Sequence, residues 1–234
     1  MDWKLIDALF ACRYYSAVTG FDQALLTFQQ ATSPCLNLTL DNHRMALLQW
    51  LNGWGCRHIA SKFHRRASAA IRDWWKEHKS CLPPQGANLA ALTSCQIASV
   101  GLAYEDLKCQ EIGRLKVKHR RDPVRIPMGD TAAAKTLFAV RPNSLLPWDA
   151  PIREELNGQS YNAYLETCRG TAQALMEEAK RRVEDPNRIP ELVGRPNSSL
   201  AKIVDECNWV YMTKGYAKIT CRELRRIHAW SKEV

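Results

Sequence analysis

The sequence lacks closely spaced cysteine pairs and any histidine pattern typical of a metal site. Its nine cysteines include no C-x-x-C pair, the spacing that zinc knuckles and redox dithiols use. The six histidines, at positions 43, 58, 64, 78, 119 and 228, show no ligand spacing either. We therefore expect no metal and no cofactor. The cysteines are interpreted as reduced thiols in a cytoplasmic protein, most of them small buried side chains.

Long hydrophobic runs are also missing. An uncharged stretch covers residues 80–104, but Pro83, Pro84 and Gly86 interrupt it, and a membrane-spanning helix needs about 20 mostly apolar residues. Residues 1–16 carry four charged side chains, so they contain no apolar core of a signal peptide. We expect a soluble, cytoplasmic monomer with no membrane partner.

Strand-type alternation is scarce, and apolar residues recur with a helical period along most of the chain. The pattern predicts helices over about residues 40–51, 56–79, 104–121, 130–140 and 161–183. Leu115 and Val117 alone would suit a short strand, but their flanks favour a helix. A chain of 234 residues suits a single all-α domain, residues 1–234, built as a helical bundle of two lobes with a cleft between them.

The charge balance favours a polyanionic partner. Lys and Arg number 33 against 24 Asp and Glu, a net charge of +9, and each phosphate that a cation neutralises releases a counterion. The predicted helices over residues 56–79 and 104–121 carry much of the excess. A solvated basic face without a partner is the alternative interpretation.

Residues 125–153 carry the pattern that is most informative about function: RIPMGDTAAAKTLFAVRPNSLLPWDAPIR. A basic helix is expected to end in a tight turn at Met128 and Gly129, and a helix rich in small residues, 132–134, follows directly. Backbone N–H groups at such a helix start bind phosphate well. Asp149 follows Gly129 by twenty residues, at the start of a further helix.

This stretch resembles the helix-hairpin-helix DNA glycosylases, the HhH-GPD superfamily, as a divergent member. Those enzymes have an L-P-G-x-G hairpin, an alanine-rich helix, and a catalytic Asp twenty residues after the second hairpin Gly. Ile126 to Gly129, residues 132–134 and Asp149 stand at the matching positions. The resemblance implies a hairpin and catalytic segment within residues 104–157. It also implies that Gly129 and Thr131 hold a phosphate while Asp149 faces a flipped nucleotide.

Three departures from the family pattern are visible in the sequence. Met128 replaces the first hairpin Gly, and Thr131 stands where bifunctional members place a Schiff-base lysine. The four-cysteine iron–sulfur loop of some members is missing as well. We therefore expect a monofunctional hydrolase rather than a lyase.

The expected site residues fall into three groups. Asp149 is the expected catalytic carboxylate. Contacts to the DNA backbone are expected from Arg57, Arg65, Arg66, Lys116, Lys118, Met128, Gly129, Thr131, Ala132 and Lys135. The base pocket is expected to include Trp50, Trp54, Trp148 and Arg153.

The expected function is a DNA glycosylase that acts on double-stranded DNA and leaves an abasic site. Breaking an N-glycosidic bond builds positive charge on the sugar, and a fixed carboxylate stabilises that charge or takes a proton from the attacking water. The hairpin and aspartate segments depart from the patterns of housekeeping repair enzymes, so a modified base is expected. Antiviral defence against phage DNA that carries such bases is one candidate role.

Other interpretations stay open at this point. Asp149 could serve only as a helix N-cap, and any single tryptophan is more often core than pocket. The chain could be a non-catalytic helical DNA-binding module that uses the hairpin for phosphates alone. A helical interaction protein whose basic face meets an acidic partner is a third interpretation.

Overall fold

The computed structural model of the protein describes residues 3–116, 118, 122–183 and 185–216. This part of the chain is mostly helical. The helices are α1 (Leu5–Val18), α2 (Phe21–Ala31), α3 (Asp41–Gly53), α4 (His64–His78), α5 (Ser94–Cys109), α6 (Asp130–Val140), α7 (Ala150–Glu155), α8 (Tyr161–Val183), α9 (Ile189–Leu192) and α10 (Leu200–Asn208). A π-helical turn, Trp209–Thr213, follows α10. Among the described helices, none combines the length and the apolar character that a membrane crossing requires.

The mostly helical fold that the sequence predicted is confirmed, and two antiparallel strands accompany the helices. Strand β1 (Glu111–Leu115) pairs with β2 (Val124–Pro127) to form a small ribbon. The helix predicted over residues 104–121 is therefore wrong beyond Cys109, where α5 ends; residues 117 and 119–121 lie outside the described part. A strand, and not the expected basic helix, leads into Gly129.

Close packing at Gly113 accounts for this difference. A Cβ atom at Gly113 would lie 2.6 Å from Cδ1 of Phe63, so the backbone approaches the ring more closely than any other residue would permit. Ile112, the preceding residue, is fully buried. These tertiary contacts hold the segment extended, whereas its local charge pattern also suits the exposed face of a helix.

Most of the remaining helix predictions are confirmed. The helices predicted over residues 40–51, 130–140 and 161–183 correspond to α3, α6 and α8. The helix predicted over residues 56–79 begins only at His64, after a 3-10 turn at Ser61–Phe63. Ala132 to Ala134 of α6 are fully buried. Their small side chains allow α6 to pack closely against α3 and α5.

The described helices pack around one core. Helices α2 to α6 contact one another in succession, while α1 packs against α8 and α10 near the other end of the described chain. A continuous cluster of buried apolar side chains runs through them, from Trp3 to Tyr211. A cleft of about 330 Å³ opens between α2 and residues 194–199.

Candidate functional site

The start of α6 lies beside the end of α5, although the ribbon separates them in sequence. The N–H groups of Met128 and Gly129 donate to the carbonyls of Gln110 at 2.9 Å and Lys108 at 3.0 Å. Gly129 has φ 78°, a left-handed conformation that favours glycine. Because these two N–H groups already donate within the protein, the first-turn N–H groups that remain for a ligand are those of the part-buried Asp130 and Thr131, whereas Ala132 is fully buried.

Polar side chains surround this helix start. Asp130 Oδ1 accepts a hydrogen bond from the Tyr104 hydroxyl at 2.8 Å, so the carboxylate is directed toward α5. Thr131 Oγ1 accepts a hydrogen bond from the Arg153 guanidinium at 3.2 Å, and the same nitrogen of Arg153 donates to the Trp148 carbonyl at 2.6 Å. Arg153 therefore connects the start of α6 to the segment that carries Asp149.

Asp149 is the backbone N-cap of α7, but its side chain does not cap that helix. The carboxylate is 28% exposed, and its Oδ1 lies 2.9 Å from the Lys135 Nζ. An aspartate that serves only as a cap would place its carboxylate on the N–H groups of its own helix. This arrangement instead leaves the carboxylate part-open to solvent beside a buried cation.

Lys135 is buried rather than exposed. Its side chain is 7% exposed, and Nζ donates to the Trp54 carbonyl at 2.6 Å. Nζ also lies 5.6 Å from the centre of the Trp54 ring, a cation–π distance. The expected role of this residue as a phosphate contact therefore gains no support from the structure, because the ammonium is occupied by Asp149 and the core.

A second ion cluster, largely buried, is centred on α10. The Lys202 Nζ is 2.8 Å from Asp205 and 3.7 Å from Glu206. The Arg195 guanidinium lies 2.6 Å from the Glu206 carboxylate and 2.7 Å from the Asp22 carboxylate, so it connects the two acids. Burial raises the pKa of the Asp205 carboxyl, while Lys202 opposes that rise and Asp149 adds to it. The two ion clusters therefore interact electrostatically through Asp205.

Sequence analysis missed this second cluster. The structure buries every residue of α10 from Leu200 to Asn208, the charged ones included. The i, i+3 spacing of Lys202 and Asp205 was the available signal, but the same spacing is common on exposed helix surfaces.

The three tryptophans proposed for a base pocket are packed in the core. Trp50, Trp54 and Trp148 are 4%, 4% and 3% exposed. Trp54 stacks on Phe138 with ring centres 5.8 Å apart, and Trp148 stacks on Tyr164 at 5.6 Å. Trp54 and Trp148 instead contribute the backbone carbonyls that bind Lys135 and Arg153.

The cleft between α2 and residues 194–199 combines an apolar wall with charged side chains. Leu25 and Phe138 line it together with Asp22, Arg195 and Lys202. Asp149 is not among the residues that line this cleft. This cleft and the expected catalytic carboxylate are therefore separate features.

The expected basic residues are exposed, and part of them converge at the ribbon. Arg57, Arg65, Lys116 and Lys118 are exposed side chains. Arg66 of α4 pairs with Glu111 of β1, which also pairs with Arg114 and Arg125 at 2.8 Å each. We call these three arginines around Glu111 the arginine cluster. Sequence analysis did not single out Arg114 and Arg125, because it placed residue 114 on a helix.

The arginine cluster lies close to the start of α6. His58, in the loop before α4, has its Nε2 2.8 Å from the Met128 carbonyl, and Phe63 packs on Gly113 of the ribbon. The loop, the start of α4 and the ribbon therefore surround the turn at Gly129. Comparison of the chain with models of protein families, with characterised proteins and with solved structures found no match.

Proposed function

We propose that this chain is a DNA glycosylase in which the Asp149 carboxylate acts at the base–sugar bond of a nucleotide held beside the start of α6. The observation that carries the proposal is the position of this carboxylate: part-open, not capping its own helix, and 2.9 Å from the buried Lys135 ammonium. A carboxylate fixed in this way can stabilise the positive charge that builds on the sugar during cleavage.

The start of α6 supplies the second half of the proposed site. Its first-turn N–H groups and the Thr131 hydroxyl suit a phosphate oxygen, because a helix start carries partial positive charge. Arg153 joins Thr131 to the Trp148 carbonyl, directly before Asp149. Phosphate binding and the catalytic carboxylate would thus be coupled through one guanidinium.

Lys135 is assigned a positioning role in this proposal. Its ammonium is enclosed by Asp149, the Trp54 carbonyl and the Trp54 ring, and a Schiff base would require it to leave all three. The proposed reaction is therefore hydrolysis without a lyase step. The proposed substrate is a modified base in duplex DNA, phage DNA being one candidate, acted on by a cytoplasmic monomer.

An excision assay tests the proposal. Duplexes with ordinary bases and genomic DNAs with modified bases are incubated with the protein, and abasic sites are scored by alkali cleavage. Asp149→Asn keeps the side-chain volume and should lower the rate by about 10²-fold or more, the range for a lost acid–base group, with DNA binding retained. Glu191→Gln removes an exposed carboxylate on α9 and should leave the rate unchanged. Equal rates for Asp149→Asn and the wild-type protein would refute the assignment.

A non-catalytic DNA-binding module is the second candidate. It is favoured by the burial of Trp50, Trp54 and Trp148 and by the separation of Asp149 from the cleft. In that case the wild-type protein would bind DNA with a strong salt dependence and produce no abasic sites on any substrate.

A further inference from the structure

The β1–β2 ribbon lies between α5 and α6 in sequence, and the residues on its two sides contact each other directly. The N–H of Met128 donates to the Gln110 carbonyl, so the residues just outside the ribbon are already hydrogen-bonded to each other. Without the ribbon, α5 could connect to α6 by a short turn. The fold therefore does not need the ribbon to bring these two helices together.

The base of the ribbon is firmly attached. Ile112 is fully buried, a register shift lies between Glu111 and Gly113, and Gly113 lies against the Phe63 ring. Further out the side chains are exposed, including Leu115, which is 43% exposed. A ribbon with an anchored base and an exposed outer part presents its outer side chains in a defined direction.

The charge on the ribbon exceeds what the protein itself neutralises. Arg114 and Arg125 are cross-strand partners, and like charges directly opposite each other destabilise a strand pair. Their side chains are 54% and 66% exposed, and Glu111 is the carboxylate between them. Each guanidinium has five N–H donors, so one carboxylate leaves most donors of the arginine cluster available to solvent or a ligand.

Shape and charge together indicate the partner. A two-stranded ribbon fits the major groove of B-form DNA, and an arginine cluster suits the phosphates along the groove edge. Lys116 and Lys118, both exposed, extend the positive charge beyond the cluster. The start of α6, where the proposed function places a phosphate, is continuous with β2.

We propose that the β1–β2 ribbon is a DNA-binding arm that enters the major groove of duplex DNA, with Arg66, Arg114 and Arg125 on the phosphates at the groove edge. This inference rests on the proposed function for its partner and deepens it. The ribbon binds the duplex next to the nucleotide that the α6 start holds.

A binding assay with charge-matched variants tests the arm. Arg114→Gln/Arg125→Gln is compared with Lys180→Gln/Arg181→Gln, which removes two exposed charges from α8, by fluorescence anisotropy on a short duplex over a range of salt concentrations. Each lost phosphate contact should reduce the slope of log K against log salt by about 0.9. The ribbon variant should therefore lose about 1.8 from the slope, and the α8 variant should match the wild-type protein.

The groove assignment has its own measurement. Dimethyl sulfate methylates N7 of guanine, an atom in the major groove, and the wild-type protein should protect it in a duplex. The ribbon variant should lose that protection. Equal slopes for the two variants would overturn the arm. The major groove assignment would be overturned if the ribbon variant lost as much slope on single-stranded DNA as on the duplex. It would also be overturned if the wild-type protein gave no N7 protection.

The arm and the enzymatic activity can fail separately. All binding measurements are repeated in the Asp149→Asn background, where excision cannot alter the DNA. If the ribbon variant has the smaller slope of log K against log salt while the wild-type protein produces no abasic sites, the arm is supported and the glycosylase is refuted. If the wild-type protein excises bases while the ribbon and α8 variants have equal slopes, the glycosylase is supported and the arm is refuted. Thermal unfolding of the ribbon variant, whose altered side chains are exposed, verifies that the fold is intact.

Discussion

Replacing Lys202 with methionine should destabilise the protein strongly, because this lysine neutralises two buried carboxylates. Its side chain is 4% exposed, and Asp205 and Glu206 are 8% and 0% exposed. Burial alone would depress the pKa of Lys202, but Asp205, Tyr15 and Glu206 hold it well above the ordinary value. The ammonium also lies 4.1 Å from the centre of the Tyr15 ring.

The expected loss at neutral pH is about 3–5 kcal/mol, the cost of leaving a buried charge without its partner. Methionine fills a similar volume, so a cavity contributes little. Adding Asp205→Asn to Lys202→Met removes one of the two buried carboxylates left without a cation. This double variant should recover more than half of the lost free energy of unfolding. Lys180→Met, an exposed control on α8, should change the free energy of unfolding by about 0.5 kcal/mol or less.

The loss should shrink as the pH falls. Burial raises the pKa values of the Asp205 and Glu206 carboxyls, and Lys202 opposes both rises. Without Lys202 their pKa values in the folded chain rise further above the unfolded value of about 4. A carboxyl whose folded pKa is raised gains stability as the pH falls through that folded pKa. Protonation in the folded variant therefore relieves part of the penalty between neutral pH and the unfolded value.

Urea unfolding followed by far-UV circular dichroism, at neutral and at mildly acidic pH, measures these differences. The reasoning about buried charge would be refuted by a neutral-pH loss below about 1 kcal/mol, the size expected for an ordinary substitution. A loss that grows on acidification would refute the pKa reasoning specifically.

Two further predictions concern packing and accessibility. Gly113→Ala should destabilise the protein by about 1–3 kcal/mol in thermal unfolding, because its Cβ would meet the Phe63 ring, whereas Gly86→Ala meets open space and should cost far less. Iodoacetamide at mildly alkaline pH should alkylate the exposed Cys35, Cys95 and Cys109 before Cys56, since burial raises the Cys56 pKa to about 11; peptide mass spectrometry reads out the order, and equal labelling of Cys56 would contradict it.

Helices with a clear apolar period were predictable, and the ribbon was not. The lengths of α3, α6 and α8 follow from local periodicity and from the residues that end them. The segment from Glu111 to Pro127 alternates poorly and is rich in charge, and those features do not distinguish an exposed ribbon from a helix face. Its conformation depends on Phe63, nearly fifty residues earlier, through a contact that has no local signal.

The candidate site was likewise predictable only where its residues lie close together in the sequence. The spacing from Gly129 singled out Asp149, and the structure places its carboxylate off its own helix. The partner of that carboxylate, Lys135, was interpreted as a surface contact because a lysine one turn into a helix is usually solvated. Its burial depends on Trp54, from a different helix end, and no pattern within residues 125–153 contains that information.

The buried ion clusters also change what the net charge of +9 implies. Lys135, Lys202 and Arg195 are each occupied by buried or half-buried carboxylates, so their charges are neutralised inside the protein and contribute little to the attraction of a polyanion. The cations available to a polyanion such as DNA are those with exposed donors and too few acids beside them. The arginine cluster meets that condition, with three guanidiniums around the single carboxylate of Glu111. Removing charge there should therefore weaken DNA binding far more than removing the same charge elsewhere on the surface.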